Sequence, residues 1–85
     1  MPYSLAWQEQ QIINSFKSTH KHECFYCKKT IINKKHDLTV DHLLPVSRGG
    51  KTVEENLVIC CCDCNQEKAD MTYEEYMEYK TISSN

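Results

Sequence analysis

Two Cys-x-x-Cys segments decide the fold of this chain: Cys24-Phe25-Tyr26-Cys27 and Cys61-Cys62-Asp63-Cys64. A two-residue spacer lets one tight turn present two thiolates to the same ion, and zinc takes four such ligands in a tetrahedron. The spacing therefore predicts one closed structural zinc site with four ligands: Cys24, Cys27, Cys61 and Cys64. A disulfide or redox pair is less favoured, because no thioredoxin-like βαβ pattern accompanies these cysteines.

Two further cysteines leave the ligand set partly open. Cys60 continues the apolar run Leu57-Val58-Ile59 and is expected to be a small buried residue. Cys62 is expected to be a spacer or a free thiol. Three histidines are alternative ligands, although a histidine beside such a pair is more often solvated: His20, His22 and His36.

The length of the chain explains why a bound metal is expected. With 85 residues, the chain has room for one small domain, whose core alone would leave it marginally stable. The sequence has no apolar run long enough to cross a membrane and no signal-peptide pattern at its start. We therefore expect a cytoplasmic protein, whose reducing surroundings favour metal binding over disulfides.

The net charge of −2 hides an uneven distribution of charge. All but one of the ten Lys and Arg residues lie between Lys17 and Lys68, whereas four acids and one Lys follow Ala69. The middle of the chain is mildly basic and its end is acidic. This imbalance is too weak to identify a nucleic-acid-binding protein by charge alone.

Apolar spacing and capping residues predict three helices. Residues 5–18 have apolar positions spaced for one helical face, with Ser4 as a candidate N-cap. A short helix is predicted over residues 65–69. A last helix is predicted over residues 73–80, where Thr72 begins a capping-box pattern.

Three short β-type runs lie between these helices: Ile31-Ile32, Leu38-Thr39-Val40 and Leu57-Val58-Ile59. A polar turn over residues 33–37 is expected between the first two runs, and the Gly49-Gly50 pair places a loop between the last two. Residues 52–55 have capping-box spacing and predict one helical turn.

Asp41-His42 follows the second of these runs. Adjacent residues on a strand point to opposite faces, so the two side chains share one site only where the strand ends or bends. Pro45 and the glycines supply such an ending. Taken alone, the pair is most simply a surface carboxylate beside a surface imidazole, but Asn56 and Asn65 place it in a larger pattern.

That pattern consists of three segments: Asp41-His42-x-x-Pro45-x-x-x-Gly49-Gly50, Asn56-Leu57 and Cys61-x-x-Cys64-Asn65-x-x-Lys68. It resembles the HNH endonucleases of the ββα-metal superfamily, in particular the four-cysteine branch common in phages and bacterial restriction systems. The resemblance covers about residues 24–70. The last position of the signature is Asn65 rather than His, a variant that many active members carry.

The resemblance implies a small α+β fold with a ββα-metal (His-Me finger) core. Residues 1–85 are then expected to form a single nuclease domain with a zinc-crosslinked core over 24–70. The helices predicted at 5–18 and 73–80 flank this core and lie outside the resemblance. DNA is the implied partner, with no membrane association. A larger phage or restriction-system partner is consistent with the same resemblance.

The resemblance also implies a role for each polar residue of the signature. Hydrolysis of a phosphodiester needs an activated water and neutralisation of charge on the phosphate. His42 would be the general base, and Asp41 and Asn65 would hold one Mg²⁺ or Mn²⁺ ion. Asn56 would brace the loop and orient the histidine.

Three basic residues are candidates for phosphate contact. Lys68 lies one helical turn after Asn65, so it is expected either to reach a phosphate on that face or to be a solvated helix lysine. Arg48 and Lys51, beside the glycine loop, are weaker candidates.

The sequence thus predicts a metal-dependent DNA endonuclease that nicks or cleaves with low sequence specificity. The main alternative is a non-catalytic zinc module that binds nucleic acid or protein, which the small size and weak charge favour. Such a module would not need the four polar residues of the signature: Asp41, His42, Asn56 and Asn65. A redox or zinc sensor would use Cys60 and Cys62, but it would not explain the asparagines.

Overall fold

The structure, a computed structural model, describes residues 6–83 as four helices and two strands. In chain order these are α1 (Trp7–Thr19), α2 (Lys34–Asp37), β1 (Leu38–His42), β2 (Leu57–Cys61), α3 (Cys62–Lys68) and α4 (Tyr73–Ser83). Two short 3-10 turns, Val46–Arg48 and Glu54–Asn56, lie in the loop between the strands. None of the helices in this part of the chain is long and apolar enough to span a membrane.

The strands form a two-stranded antiparallel sheet, and α3 follows the second strand directly. In the sheet Leu38 pairs with Cys61, Val40 with Ile59, and so on to the last pair at His42. α3 turns back at the end of β2 and packs on both strands. The strand–strand–helix order confirms the predicted small α+β fold with a ββα core.

The core is small and mixes aromatic, aliphatic and cysteine side chains from several elements. Phe16 of α1, Ile59 of β2 and Tyr76 of α4 meet in it, together with Tyr26 from the first cysteine segment. The rings of Tyr26 and Tyr76 contact edge to face, with centroids 5.0 Å apart. Since three of the four predicted zinc ligands also belong to this cluster, a metal crosslink would lie inside the core.

The prediction of a strand at Ile31-Ile32 is wrong. Ile31 is buried, but Ile32 is 85% exposed, and the pairing described nearby is an isolated bridge between Glu23 and Thr30. The polar segment that follows is a single helical turn, α2, because the Asn33 side chain accepts a hydrogen bond from the backbone N–H of His36. A polar turn and a capped helical turn have similar compositions, so composition alone does not separate them.

The helix boundaries differ from the prediction where side chains find other partners. α1 begins at Trp7, with Ala6 as N-cap and its N–H bonded to the Glu9 carboxylate at 3.0 Å; Ser4 lies outside the described residues. The predicted turn at residues 52–55 forms later along the chain, because Thr52 bonds to another side chain instead of capping it. α3 begins before the predicted Asn65, since the Cys61 sulfur caps it.

The capping box of α4 forms as predicted. The Thr72 hydroxyl accepts from the Glu75 backbone N–H, and the Glu75 carboxylate accepts from the Thr72 N–H, both at 3.1 Å. This reciprocal pair fixes the start of α4, which then continues to Ser83, beyond the predicted end at residue 80.

Candidate metal centre and active site

Four cysteine sulfurs converge beside the start of α3. The Sγ atoms of Cys24, Cys27, Cys61 and Cys64 all lie within 4.8 Å of one another. A tetrahedral zinc ion with Zn–S bonds of about 2.3 Å needs sulfurs about 3.8 Å apart, and the Cys27 and Cys61 sulfurs are separated by 3.9 Å. The four cysteines that the spacing selected are therefore positioned to bind one metal ion.

Each cysteine pair forms the tight turn that its spacing predicted. The backbone N–H of Cys27 lies 3.4 Å from the Cys24 sulfur, and the N–H of Cys64 lies 3.4 Å from the Cys61 sulfur. Burial acts to raise the pKa of the Cys24 thiol, but such backbone N–H groups outweigh it and lower the pKa to about 6. Burial instead raises the pKa of the Cys61 and Cys64 thiols, so a cation is needed to hold all four as thiolates.

The other two cysteines lie outside this cluster. Cys60 is fully buried on β2, and its thiol contacts the Cys61 carbonyl oxygen at 3.2 Å. Burial, followed by nearby negative groups, raises the pKa of Cys60 far above its ordinary value, so it stays protonated. Cys62 lies in the first turn of α3, where its sulfur accepts from the Gln66 amide at 3.3 Å.

The three histidines considered as alternative ligands have other surroundings. His20 stacks on the Phe16 ring with centroids 3.7 Å apart. A ring nitrogen of His22 lies 2.8 Å from the Lys17 carbonyl oxygen. His36 is exposed on α2.

Asp41 is buried and has two side-chain partners. The Tyr26 hydroxyl donates to Asp41 Oδ2 at 2.6 Å, and Lys68 Nζ lies 3.1 Å from the same oxygen. Lys68 Nζ also donates to the His42 carbonyl oxygen at 3.0 Å. Asp41 Oδ1 is the less engaged of the two carboxylate oxygens, since its contact with Lys68 is 3.5 Å.

The position of Lys68 differs from both of the positions expected from the sequence. Its side chain is 0% exposed, so it is neither a solvated helix lysine nor a surface contact for a phosphate. Lys68 and Asn65 do share a face of α3, but that face packs against β1. A buried ammonium group needs a counter-ion, and Asp41 supplies it.

No pattern in the sequence identifies Tyr26 as part of the site. Burial first, and then its hydrogen bond to Asp41, raise the pKa of Tyr26 far above its ordinary value, so its hydroxyl remains a donor. Tyr26 lies in the spacer between Cys24 and Cys27, where an aromatic residue is ordinarily interpreted as part of the core. Nothing in the sequence indicates its partner 15 residues away.

His42 ends β1 and is half-buried. One ring nitrogen, Nε2, lies 2.9 Å from the Thr52 hydroxyl, a contact that the sequence did not suggest. Burial lowers the pKa of His42 below its usual 6.5, although the negative charge of Asp41 acts in the opposite direction. The imidazole is therefore mainly neutral at neutral pH.

Asn56 closes the loop that follows His42. Its Oδ1 accepts from the Leu44 N–H at 2.9 Å, and its Nδ2 donates to the carbonyl oxygens of Leu44 and Lys51. Asn56 therefore fixes the loop through backbone groups, and it can act on the histidine only through that loop. Gly50 is required here, because a Cβ atom would lie 1.7 Å from the Leu44 carbonyl oxygen.

Asn65 approaches the same region from α3. Its Nδ2 donates to the Thr39 hydroxyl at 3.0 Å, and that hydroxyl donates to the Cys60 carbonyl oxygen at 2.7 Å. Asp41, His42 and Asn65 together line one open cleft of about 300 Å³, which Pro45 and the 3-10 turn after it also border. Strand β1 ends at this cleft, as the position of Pro45 predicted.

Comparison with known proteins identifies the family. The family model described as HNH endonuclease matches residues 24–79, which is more than half of the chain. This chain belongs to the HNH endonuclease family. The resemblance drawn from the sequence is thereby confirmed, and the match extends beyond it into α4. Membership of this family indicates a nuclease that acts on nucleic acid. No curated protein matches the chain at a significant level of similarity.

The HNH cleft offers a divalent ion few but suitable ligands. Asp41 would supply a carboxylate oxygen and Asn65 an amide oxygen, and hard divalent cations prefer such oxygen donors. The residues present fit an ion held by two protein ligands, with water or phosphate completing its coordination. The ammonium group of Lys68 beside Asp41 opposes the charge of that ion.

Arg48 and Lys51, the two weaker candidates for phosphate contact, differ in whether the side chain is already in an ion pair. Arg48 forms an ion pair with Glu75 of α4, which raises the pKa of its guanidinium group. It also lies 3.4 Å from the Asp70 carbonyl oxygen. Lys51 is exposed, and its backbone carbonyl takes part in the loop bonds of Asn56.

Proposed function

We propose that this HNH protein is a metal-dependent DNA endonuclease with His42 as its general base. The observation that supports this most directly is the shared cleft, in which Asp41, His42 and Asn65 meet although they come from two different elements. We further propose that zinc occupies the four-cysteine centre, because four thiolates in a closed site are the ligands that structural zinc takes.

The proposed chemistry assigns a distinct task to each side chain. A magnesium or manganese ion on Asp41 and Asn65 would supply charge neutralisation at the phosphate. With its Nε2 held by Thr52, His42 has its Nδ1 left to take a proton from the attacking water. The lowered pKa keeps the imidazole ring neutral at neutral pH, and in the tautomer whose Nε2–H donates to Thr52 the Nδ1 atom carries no proton. Asn56 fixes the loop that begins beside the histidine.

Low sequence specificity is part of the same proposal. Of the three basic residues considered for phosphate contact, Lys68 is buried and Arg48 is paired with Glu75. Among the described residues, this leaves Lys51 as the exposed cation of the three that has no ion-pair partner. Few phosphate contacts support weak binding.

Plasmid nicking with purified protein and added Mg²⁺ or Mn²⁺ tests this function. His42→Ala should lower the nicking rate by about 10²–10⁴-fold, the usual contribution of a positioned general base. The metal content and folding of this variant should stay at the parent level. His36→Ala is the matched control, because His36 is exposed on α2, and it should nick as the parent does. Equal rates for the parent and His42→Ala would contradict the proposal.

One observation favours a non-catalytic nucleic-acid-binding module instead. Asp41 already has a buried cationic partner in Lys68, so its carboxylate is neutralised without a metal ion. If the protein is such a binding module, Mn²⁺ should bind the parent and the Asn65→Ala variant equally weakly. Titration of Mn²⁺, followed through the signal of the free ion in electron paramagnetic resonance, distinguishes the two functions.

A further inference from the structure

Thr39 links Asn65 to the opposite strand. It lies in β1, where its register partner is Cys60 of β2. Its hydroxyl donates to the Cys60 carbonyl oxygen at 2.7 Å and accepts from Asn65 Nδ2 at 3.0 Å. Two polar contacts of opposite direction therefore meet at one side-chain oxygen.

The directions of these two contacts are not interchangeable. A hydroxyl group has a single proton, and a carbonyl oxygen can only accept, so the proton of Thr39 is committed to Cys60. The hydroxyl then offers Asn65 only a lone pair. Asn65 must present its NH₂ group to Thr39, because the reversed amide would place two acceptors face to face. The amide oxygen Oδ1 is consequently turned away from Thr39.

An asparagine that binds a metal ion must have its amide group oriented by its neighbours, whereas an aspartate need not. Both oxygens of a carboxylate can bind a cation, whereas an amide binds through its oxygen and repels the ion with its NH₂ group. A ligand asparagine is useful only in one of its two orientations. Metal ligands are commonly oriented by a further shell of hydrogen bonds, and Thr39 is in the position to provide one.

We propose that Thr39 is a positioning residue that fixes the amide of Asn65 so that Oδ1 is offered to the divalent ion. This inference rests on the proposed function, in which Asn65 is a ligand of that ion. It also connects the two metal sites, because the carbonyl group that directs Thr39 belongs to Cys60, the neighbour of Cys61.

Two substitutions of Thr39 separate orientation from packing. Thr39→Val keeps the shape of the side chain and removes the hydroxyl, whereas Thr39→Ser keeps the hydroxyl and removes a methyl group. Mn²⁺ affinity without DNA should fall by roughly 10-fold in Thr39→Val, the lower end of what loss of such an outer contact costs. Thr39→Ser should bind Mn²⁺ as the parent does. The opposite rank order would show that packing matters and would overturn the inference.

Asn65→Asp supplies a second, independent test. With a carboxylate at position 65, either oxygen can serve the ion, so adding Thr39→Val to this variant should not weaken Mn²⁺ binding further. If Thr39→Val costs the same affinity in the parent and in the Asn65→Asp variant, Thr39 acts through the general structure, which contradicts the inference. The melting temperature and the metal content of the cysteine centre, measured on the same samples, identify any variant that fails to fold.

Asn65→Ala distinguishes failure of this inference from failure of the proposed function. If Asn65→Ala binds Mn²⁺ as tightly as the parent, Asn65 is not a ligand and the metal assignment of the proposed function is wrong. If Asn65→Ala loses affinity while Thr39→Val does not, the metal assignment stands and the role of Thr39 is refuted.

Discussion

At the scale of single residues, the buried pair of Lys68 and Asp41 is the most consequential contact in the cleft. Neither side chain is appreciably exposed, and their charged atoms lie 3.1 Å apart. A buried pair of this kind adds little net stability compared with apolar residues, but removing one partner leaves the other charge uncompensated. Lys68 therefore supplies the counter-charge of the carboxylate that we propose as a metal ligand.

Lys68→Ala should lower the free energy of unfolding by about 3–5 kcal/mol, because it leaves the Asp41 carboxylate buried without its cation. Added Mg²⁺ or Mn²⁺ should restore part of this loss, since a divalent ion can replace the missing charge. Lys51→Ala is the matched control, an exposed lysine whose removal should cost less than about 0.5 kcal/mol. Urea unfolding with and without the added ion measures both effects. Similar losses in the two variants would contradict the ion-pair argument.

The pH dependence of cleavage should follow His42. Only the neutral imidazole can accept a proton, and burial lowers the pKa of His42 below 6.5. The nicking rate should therefore rise with pH, with a midpoint below that value, and stay level at neutral pH. Single-turnover rates from about pH 5 to about pH 8 measure this profile; a midpoint above 6.5 would refute the assignment.

At the scale of elements, the start of α3 joins the cysteine centre to the cleft. The Cys61 sulfur caps the helix, Cys64 lies in its first turns, and Asn65 follows directly. The helix has only seven residues, too few to be stable alone in water. A metal ion bound at the cysteines would therefore hold the helix that carries Asn65.

Cys61→Ser should lose the bound metal and most of its cooperative unfolding, because a small metal-binding domain folds largely on metal-binding energy. Cys62→Ser is the matched control, one residue further along, since its sulfur contacts Gln66 and not the cluster. It should keep one metal ion per chain, as should Cys60→Ala. Metal content and the cooperativity of thermal unfolding measure the difference. Loss of metal from Cys62→Ser alone would show that the ligand assignment is wrong.

How far the elements could be predicted depends on whether their signal is local. The cysteine turns and the capping box of α4 depend on residues a few positions apart, and both formed as expected. The prediction for residues 31–37 failed because the apolar pair Ile31-Ile32 has the composition of a strand, but no neighbouring strand among the described residues pairs with it. A sequence window contains no information on whether a neighbouring strand exists.

Contacts in the cleft between residues that are far apart in the sequence could not be predicted either. Tyr26 with Asp41, and Asn65 with Thr39, are 15 and 26 residues apart, and each residue type has an ordinary alternative role. Lys68 was placed on the correct helix face, but whether that face meets water or the sheet is decided by packing. The signature located the residues of the cleft; the hydrogen bonds that orient them required the folded chain.

At the scale of the whole molecule, the charges are mostly balanced. The net charge is −2, and the acidic end of the chain reaches back over the cleft loop, where Glu75 of α4 pairs with Arg48. This pair neutralises a cation beside the region where DNA would bind. We therefore expect weak binding to duplex DNA that becomes weaker still with added salt.

Glu75→Gln should strengthen DNA binding, because it frees the Arg48 guanidinium group while the amide oxygen can still accept from Thr72. The slope of log affinity against log salt should become steeper by about 0.9 if Arg48 gains one phosphate. Glu78→Gln is the matched control, since it removes the same charge from α4 without touching the pair. Titrations of fluorescent duplex DNA in the His42→Ala background measure both variants without cleavage. Equal gains from the two substitutions would indicate a general charge effect and not release of Arg48.

The loop bonds of Asn56 have a consequence for redesign of this protein. Asn56 holds the segment after His42 through main-chain atoms of Leu44 and Lys51, which every amino acid possesses apart from the N–H that proline lacks. These bonds do not fix the identities of the intervening side chains, but other contacts limit them: Gly50 approaches Leu44 too closely to admit a Cβ, and Arg48 pairs with Glu75. A Cβ at Gly49 would meet no atom within 4 Å, but its φ of 97° is one that residues with a side chain rarely adopt. We expect a peptide inserted next to Gly49 to leave the bonds of Asn56 in place, so that contacts to chosen DNA bases can be added without moving the proposed catalytic residues.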